Sequence, residues 1–217
     1  LGQTSQTEPG TRRPPKPASA NLAADPPGHP RTRLHEAVRA ANHAVFQRAQ
    51  KSRALRGMGT TLVAVLLEKT EPPAEPGADR PGPTLWLAHV GDSRCYRLRS
   101  RTLQLLTEDH SLVEEQVRAG MLSRVQAGCS PIRNIITRAI GSQSAVEPDI
   151  AAHDTQPGDL YLLASDGLTR ELDDTEIAHI LARSAGRALE SACRALVDAA
   201  NKKGGCDNIT VLLVSCP

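Results

Sequence analysis

The amino-acid sequence predicts an α+β fold, a layered sandwich in which helices cover antiparallel strands. Short apolar runs follow one another closely between residues 61 and 106, and longer stretches with helical periodicity lie before and after them. Strands and helices do not alternate regularly, which argues against a parallel α/β sheet. A chain of 217 residues is long enough to bury the core of one such domain.

Residues 1–33 differ in composition from the rest of the chain. They hold seven of its 16 prolines, and Leu1 and Leu22 are their only large apolar residues. Such a segment buries too little apolar surface to offset the entropy lost when it becomes ordered. We therefore expect residues 1–33 to be disordered or loosely attached, and residues 34–217 to form the domain.

The first half of the domain is predicted to begin with a helix and to continue with strands. An amphipathic helix over 34–50 is predicted because four apolar residues repeat at helical spacing, namely Leu34, Val38, Ala41 and Val45. Four strands follow, closely enough for an antiparallel meander, at Thr61–Leu67, Leu85–Val90, Tyr96–Arg99 and Leu103–Leu106. The proline-rich stretch 69–84 between the first two is expected to be an extended loop.

The second half is predicted to be mostly helical. Ser111 and Glu114 form a capping-box signature for a helix that reaches Arg118, and Ser130 followed by proline predicts another that ends at Gly141. The remaining predicted elements are a strand at Leu160–Ala164, helices at Asp174–Arg183 and Arg187–Lys203, and a strand at Ile209–Val214. The last strand is so uniformly apolar that it is expected to be central and covered on both faces.

The composition excludes several classes of partner. The formal net charge is +2 and the aromatic residues are few, so a nucleic-acid surface is not indicated. No run reaches the length of a membrane span, and no signal peptide is visible, so no membrane association is expected. Five cysteines without a repeated Cys-x-x-Cys spacing indicate neither a disulfide framework nor a zinc site, which favours a reducing, cytoplasmic location.

Three aspartates next to strand ends predict a cation site. Asp92 follows the second predicted strand, Asp166 follows the strand at Leu160–Ala164, and Asp207 precedes the last strand. If the last two strands are antiparallel neighbours, Asp166 and Asp207 face each other at one edge of the sheet. Oxygen ligands without histidine or cysteine suit Mg²⁺ or Mn²⁺. Taken singly, each of these motifs is also typical of an ordinary turn.

Six motifs in order resemble the bacterial form of the PPM-type (type 2C) metal-dependent protein serine/threonine phosphatases, over about residues 34–215. They are Gly57-Met58-Gly59-Thr60-Thr61, Gly91-Asp92-Ser93-Arg94-Cys95-Tyr96, Thr107-Glu108-Asp109-His110-Ser111, the run from Pro131 to Gly141, Ser165-Asp166-Gly167-Leu168 and Asp207-Asn208-Ile209-Thr210. The resemblance implies a four-layer α/β/β/α sandwich of two antiparallel sheets flanked by helices. It also implies two, or with a peripheral ion three, Mn²⁺ or Mg²⁺ ions that activate a water to attack a phosphoserine or phosphothreonine.

The resemblance assigns roles to individual residues. Asp166 and Asp207 are implied ligands of the dinuclear centre, and Asp92 with Asp166 is implied to bind a third ion. The segment from about Gly120 to Gly141 corresponds to the flap beside the active site. Arg133 and Asn134 of that flap, with Arg94, are implied substrate contacts, although an arginine that opens a hairpin is also typical of a salt bridge. The supporting motif residues are Gly59, Thr60, Thr61, Gly167 and Asn208.

Two N-terminal motifs of the family are absent from the 217 residues. Arg-x-x-Asn-Glu/Gln-Asp and Asp-Gly-Met-Gly-Gly-His would supply a phosphate-binding arginine, a bridging aspartate and a histidine. Asp25-Pro26-Pro27-Gly28-His29 matches the second motif only faintly. We therefore expect the N-terminal strands of the sandwich to be missing or replaced.

Two functions stay open at this point. One is a monomeric metal-dependent phosphatase that acts on phosphoproteins, the products of a serine/threonine kinase. The other is a catalytically silent phosphatase-like module that binds phosphoproteins or regulates a kinase pathway. A different dinuclear hydrolase, such as a nuclease, would need a basic surface that the sequence does not indicate.

Overall fold

A computed structural model describes residues 25–26, 28–68, 82–128, 130–184 and 188–216. Its strands form two antiparallel sheets. The first sheet has the order β1-β2-β5, with β1 at Leu62–Glu68, β2 at Thr84–Val90 and β5 at Asp149–Asp154. The second has the order β4-β3-β6-β7, with β3 at Arg94–Arg99, β4 at Thr102–Leu105, β6 at Leu160–Ala164 and β7 at Val211–Ser215.

The helices form the outer layers. They are α1 (Pro30–Gln50), α2 (Leu112–Arg118), α3 (Arg124–Gly128), α4 (Asp166–Thr169), α5 (Asp174–Arg183) and α6 (Leu189–Lys203), with a short 3₁₀ helix at Arg53–Leu55. Helix α1 packs on β2 and β5, whereas α5 and α6 pack together beside the second sheet. None of these helices, in the part of the chain that is described, combines the length and the apolarity needed to cross a bilayer. The predicted sandwich of two antiparallel sheets flanked by helices is confirmed.

The central core lies between the two sheets. Side chains that alternate along the strands point inward from both sides and are buried, as the two-residue period of a strand requires. They include Leu85 and Leu87 of β2, Cys95 of β3, and Tyr161 and Leu163 of β6. A second cluster under α5 and α6 contains Leu162 and Ala164 from the opposite face of β6. Because β6 is buried on both faces, it gives rigid support to the chain segment at its end.

The strand register brings three chain segments together at one end of the strands of the second sheet. Arg94, the first residue of β3, pairs with Ala164, the last residue of β6. Ala164 in turn pairs with Val211, the first residue of β7. The segments before β3, after β6 and before β7 therefore meet, and each of them carries one of the three predicted aspartates.

Two predictions about the first half need correction. Helix α1 begins at Pro30 rather than at residue 34, so it includes the end of the proline-rich segment. Proline is well suited to the first turn of a helix because its missing N–H group has no intrahelical partner there. The four strands do not form one meander, since β1–β2 and β3–β4 are hairpins in different sheets. The predicted loop 69–84 lies largely outside the described residues.

The predicted helix from Ser130 to Gly141 is wrong. This segment consists of turns and isolated bridges, in which Ile136 pairs with Ser111 and Ile140 pairs with Thr60. The isoleucines have helical spacing, but Ile135 and Ile136 are exposed. Their backbone groups bond to distant segments, as in the bond from the Leu112 amide to the Ile135 carbonyl. These tertiary bonds replace the helical ones.

The last strand is also placed differently from the prediction. Within the described residues β7 pairs with β6 alone and lies at the edge of its sheet, and Leu212 on β7 is 50% exposed. Four further elements escaped prediction: β5, whose Ala-Ala-His centre has weak strand propensity, the short helices α3 and α4, and the 3₁₀ helix at Arg53–Leu55. Strand β6 and helix α5 have the predicted bounds.

Candidate metal centre and active site

Asp166 and Asp207 lie together, with one guanidinium between them. Asp166 is the first residue of α4, directly after β6, and Asp207 lies in the loop that leads to β7. Arg170 contacts Asp166 Oδ2 through its Nη2 atom, and its Nη1 atom lies 3.2 Å from Asp207 Oδ2. The predicted approach of the two carboxylates is therefore present. Arg170 was not predicted, although its spacing of four residues from Asp166 is a recognised ion-pair signal on a helix.

Gly167 explains why the two aspartates can come so close. A Cβ atom at this position would overlap the backbone carbonyl oxygen of Asn208. The neighbouring chain is held further by Ser165, whose hydroxyl donates to the Asn208 carbonyl at 3.1 Å and accepts from the Thr210 amide at 3.0 Å. The Ser-Asp-Gly motif and the Asp-Asn motif thus form one packed unit.

Asp92 brings a third carboxylate to the same place. It follows the end of β2 and is only 9% exposed. Burial and, next, the negative charge of Asp166 raise the pKa of Asp92 above its ordinary value. Both causes disfavour the ionised form of Asp92, and a bound cation would favour it. Carboxylate oxygens are ligands that the hard divalent cations Mg²⁺ and Mn²⁺ prefer.

The supporting motif residues hold the Asp92 loop in place. Gly91 has φ of +107°, and a side chain there would overlap Thr61. The Thr61 hydroxyl lies 2.9 Å from the Ser93 hydroxyl. Thr60 pairs with Ile140 through two backbone hydrogen bonds of 3.0 and 2.8 Å, and a Cβ atom on Gly59 would lie 3.1 Å from the Ile140 carbonyl oxygen. These residues therefore fix loops around the carboxylates.

Arg94 lies beside the carboxylates but is held by a salt bridge. Its Nε and Nη2 atoms donate to the two carboxylate oxygens of Asp109 at 3.0 and 2.8 Å. Its Nη1 atom donates to the hydroxyl of buried Tyr96 at 3.2 Å. This bidentate pairing favours the salt-bridged alternative for Arg94 over a substrate contact.

A cleft of about 270 Å³ opens over Asp92 and Asp166. One wall is Asp92, Asp166 and Arg170, and the other comes from the predicted flap, including Arg124, Arg133 and Asn134. Arg133 donates to the Gly128 carbonyl at 3.3 Å, and both Arg133 and Asn134 are exposed. The two flap residues therefore face the same opening as the acidic cluster.

A second polar cluster lies on the other side of the Gly91 loop. His89 and His110 stack with ring centroids 4.6 Å apart, and His110 Nε2 lies 3.3 Å from Asp149 Oδ2. Ligand atoms of the three residues lie within 4.8 Å of one another, a spacing compatible with a metal. His110 Nδ1 accepts the Gly91 amide at 3.1 Å, so this nitrogen carries no proton, and Nε2 is the ring atom that faces Asp149.

Hydrogen bonding commits this histidine cluster to the fold. His89 Nε2 donates to the Glu108 carbonyl at 2.9 Å, and burial lowers the pKa of His89, which keeps the ring neutral. Burial of Asp149 is outweighed by hydrogen bonds from His110 and Arg138, which hold its pKa well below the ordinary value. The cluster therefore braces the loop that carries Asp92.

The faint N-terminal motif does not reach the cleft. Asp25 lies 3.5 Å from His29 and 3.8 Å from Arg31. The ring of His29 contacts Trp86, near the start of β2, in an edge-on arrangement at 4.9 Å. Asp92 follows the opposite end of that strand.

Sequence comparisons agree with this geometry. The family model for protein phosphatase 2C matches residues 11–209, and so begins before the resemblance noted from residue 34. A serine/threonine phosphatase (stp) of Listeria welshimeri is 40% identical over 183 residues, which are 84% of this chain and 67% of that protein. Protein phosphatase PhpP of Streptococcus pneumoniae is 38% identical over 174 residues, 80% of this chain and 64% of that one.

Solved structures show the same fold. The serine/threonine phosphatase of S. agalactiae has a TM-score of 0.74 at 37% identity, covering 86% of this chain and 71% of that one. The catalytic domain of PstP, solved in complex with two manganese ions, has a TM-score of 0.70 at 34% identity, covering 89% of this chain and 74% of that one. The chain belongs to the protein phosphatase 2C family of metal-dependent serine/threonine phosphatases.

Proposed function

We propose that Asp166 and Asp207 hold Mn²⁺ or Mg²⁺ for phosphoprotein hydrolysis, with Asp92 binding a further, peripheral ion beside Asp166. The observation that carries the proposal is the convergence of three carboxylates from three chain segments, of which Asp92 and Asp166 line an open cleft and Asp207 shares Arg170 with Asp166. Arg170 contacts both Asp166 and Asp207, so these carboxylates attract positive charge, and the charge of Asp166 adds to burial in raising the pKa of Asp92. When bound, the ions supply the Lewis acidity that activates water for attack on phosphorus.

The chain's own residues orient the reaction from both walls of the cleft. Gly167 and Ser165 fix the two metal-binding loops against each other, and the Thr61–Ser93 contact holds the Asp92 loop. Arg133 and Asn134, exposed on the flap wall, would contact the phosphorylated segment of a substrate protein. The cognate kinase and the monomeric state remain predictions from the sequence. The four described cysteines are all unpaired, which is consistent with a cytoplasmic location.

Turnover is expected to need the bridging aspartate and the phosphate-binding arginine of the two family motifs that are absent from residues 1–217. A two-metal hydrolysis needs a shared ligand and positive charge on the phosphoryl oxygens. The loss of such a group typically slows the reaction by about a hundredfold or more. With Mn²⁺ we expect little or no hydrolysis of para-nitrophenyl phosphate or a phosphothreonine peptide by residues 1–217.

The test replaces residues 1–24, ahead of Asp25 and α1, with a segment that carries the two family motifs. This fusion should hydrolyse the phosphothreonine peptide with Mn²⁺, and Asp166→Ala should abolish its activity. A folded, Mn²⁺-loaded fusion without turnover would contradict the proposed function. Robust turnover by residues 1–217, abolished by Asp166→Ala, would show instead that the bridging ligand lies within this chain.

A further inference from the structure

Arg170 occupies the position at which a cation is expected in the proposed metal site. Its guanidinium contacts Asp166 Oδ2 through Nη2 and Asp207 Oδ2 through Nη1. A divalent ion on those oxygens and the guanidinium cannot occupy the same space. Metal binding at these two carboxylates therefore requires Arg170 to leave them.

The Arg170 side chain is partly exposed, and exposed ion pairs are the contacts that hold it. Arg170 follows the last residue of α4, and about a third of its side chain (32%) is exposed to the cleft. The arginine stem is long and flexible, and exposed ion pairs contribute little free energy each. Because Arg170 lines the cleft, a guanidinium displaced from the two carboxylates can turn into it.

The other arginines lining the cleft have partners that an ion at Asp166 and Asp207 would leave in place. Arg94 is paired with Asp109, and Arg124 lies 3.0 Å from Glu114. Arg133 donates to a backbone carbonyl. Among the described arginines of the cleft wall, Arg170 is the one whose carboxylate partners are the proposed metal ligands. A guanidinium released there presents a planar set of donors that matches phosphate oxygens.

We propose that Arg170 exchanges partners during function. In the metal-free protein it neutralises Asp166 and Asp207, and in the metal-loaded protein it binds the phosphoryl oxygens of the substrate. The proposal rests on the proposed function, because it requires a divalent ion at these carboxylates. It gives this chain a phosphate-binding arginine within its own described residues.

The first test measures Mn²⁺ binding by isothermal titration calorimetry for the parent chain, Arg170→Gln and Arg194→Gln. Arg194 is a matched control, since it also pairs with a carboxylate four residues away, Glu190 at 2.9 Å, but does so outside the cleft. Arg170→Gln should bind Mn²⁺ about three- to tenfold more tightly, because two partly exposed ion pairs no longer compete with the metal. Arg194→Gln should match the parent.

The second test titrates inorganic phosphate into the Mn²⁺-saturated proteins. Arg170→Gln should bind phosphate about tenfold more weakly than the parent, because a charge-assisted contact is lost. Arg170→Lys, which keeps the charge but not the planar fork, should fall between the two. Arg170→Gln should therefore bind Mn²⁺ more tightly and phosphate more weakly than the parent. An arginine with a purely structural role would not produce these two opposite effects.

The outcomes separate this inference from the proposed function. Mn²⁺ affinity that is equal in the parent and Arg170→Gln, or phosphate affinity that is unchanged, would overturn the exchange while the metal site stands. If neither the parent nor Arg170→Gln binds Mn²⁺, the proposed function fails as well. In that case a larger loss of thermal stability in EDTA for Arg170→Gln than for Arg194→Gln would identify a permanent salt bridge, which also overturns the exchange.

Discussion

Two polar clusters flank the Gly91–Ser93 loop, and they differ in how their charges are satisfied. Asp92 and Asp166 line an open cleft, and Arg170, which also lines it, supplies positive charge to Asp166 and to the neighbouring Asp207. His89, His110 and Asp149 lie on the other side, where two buried, stacked rings are committed to hydrogen bonds. Both contain residue types that bind metals. The comparison teaches that two clusters of metal-binding residue types differ in access: the acidic cluster, which is the proposed binding site, borders an open cleft, whereas the histidine rings are buried.

The largest effect is expected from adding a side-chain atom between the Asp166 and Asp207 loops, where the two backbones are in contact. In Gly167→Ala the new Cβ atom meets a backbone carbonyl of Asn208, so the backbone must shift. Overpacking of this kind typically costs about 1–3 kcal/mol in the free energy of unfolding. The variant should therefore unfold at lower urea concentration in EDTA and should gain less stability from Mn²⁺ than the parent.

Gly128→Ala is the control for that substitution. Gly128 also lines the cleft, but no atom lies within 4 Å of the position of its added Cβ atom. Its free energy of unfolding should change by about 0.5 kcal/mol or less. Equal stability and equal Mn²⁺ response in the two alanine variants would mean that the close approach at Gly167 does not shape the acidic cluster.

Sequence reasoning could predict the acidic half of this comparison. Asp166 and Asp207 directly flank strands that are strongly apolar, and antiparallel neighbours necessarily bring the end of one to the start of the other. The helix cap at Ser111 was equally local, and its hydroxyl does accept the Glu114 amide at 3.4 Å. Such features depend on a few consecutive residues. The close backbone approach at Gly167, in contrast, is visible only in the structure.

The histidine half depends on contacts between distant residues. His89 and His110 stack across a separation of 21 positions that passes through a hairpin of the other sheet. Asn42 is similar, since this buried residue of α1 accepts the Gly141 amide at 2.7 Å, far along the chain. The wrong helix prediction for the segment before Gly141 has the same cause, because contacts with distant residues decide its structure. Its local periodicity was clear, but the partners of its backbone groups were not visible in the sequence.

A smaller effect is expected from the histidine cluster as the pH falls. Burial lowers the folded-state pKa of His89, and the same cause lowers that of His153. Unfolded histidine titrates near pH 6.5, so below this pH the unfolded chain binds protons that the folded chain does not. Stability is therefore fully present above about pH 6.5 and is lost as the pH falls toward the lowered pKa values.

Thermal unfolding in EDTA between pH 7.5 and 5 measures this loss. The parent midpoint should decrease across the range, and His89→Gln should show a smaller decrease because its amide can still donate to the Glu108 carbonyl but does not titrate. The depressed pKa of Asp149 keeps that carboxylate ionised throughout the range. Identical pH dependence in the two proteins would remove His89 from the account.

The most direct test asks which of the two clusters binds the metal. The thermal midpoint is measured with Mn²⁺ and with EDTA for the parent, for Asp166→Asn combined with Asp207→Asn, and for His89→Gln. A ligand that binds the folded state alone raises its stability by mass action. We predict that Mn²⁺ raises the midpoint of the parent and of His89→Gln and leaves the double aspartate variant unchanged. A shift that survives in the double variant and disappears in His89→Gln would place the metal in the histidine cluster and contradict the account.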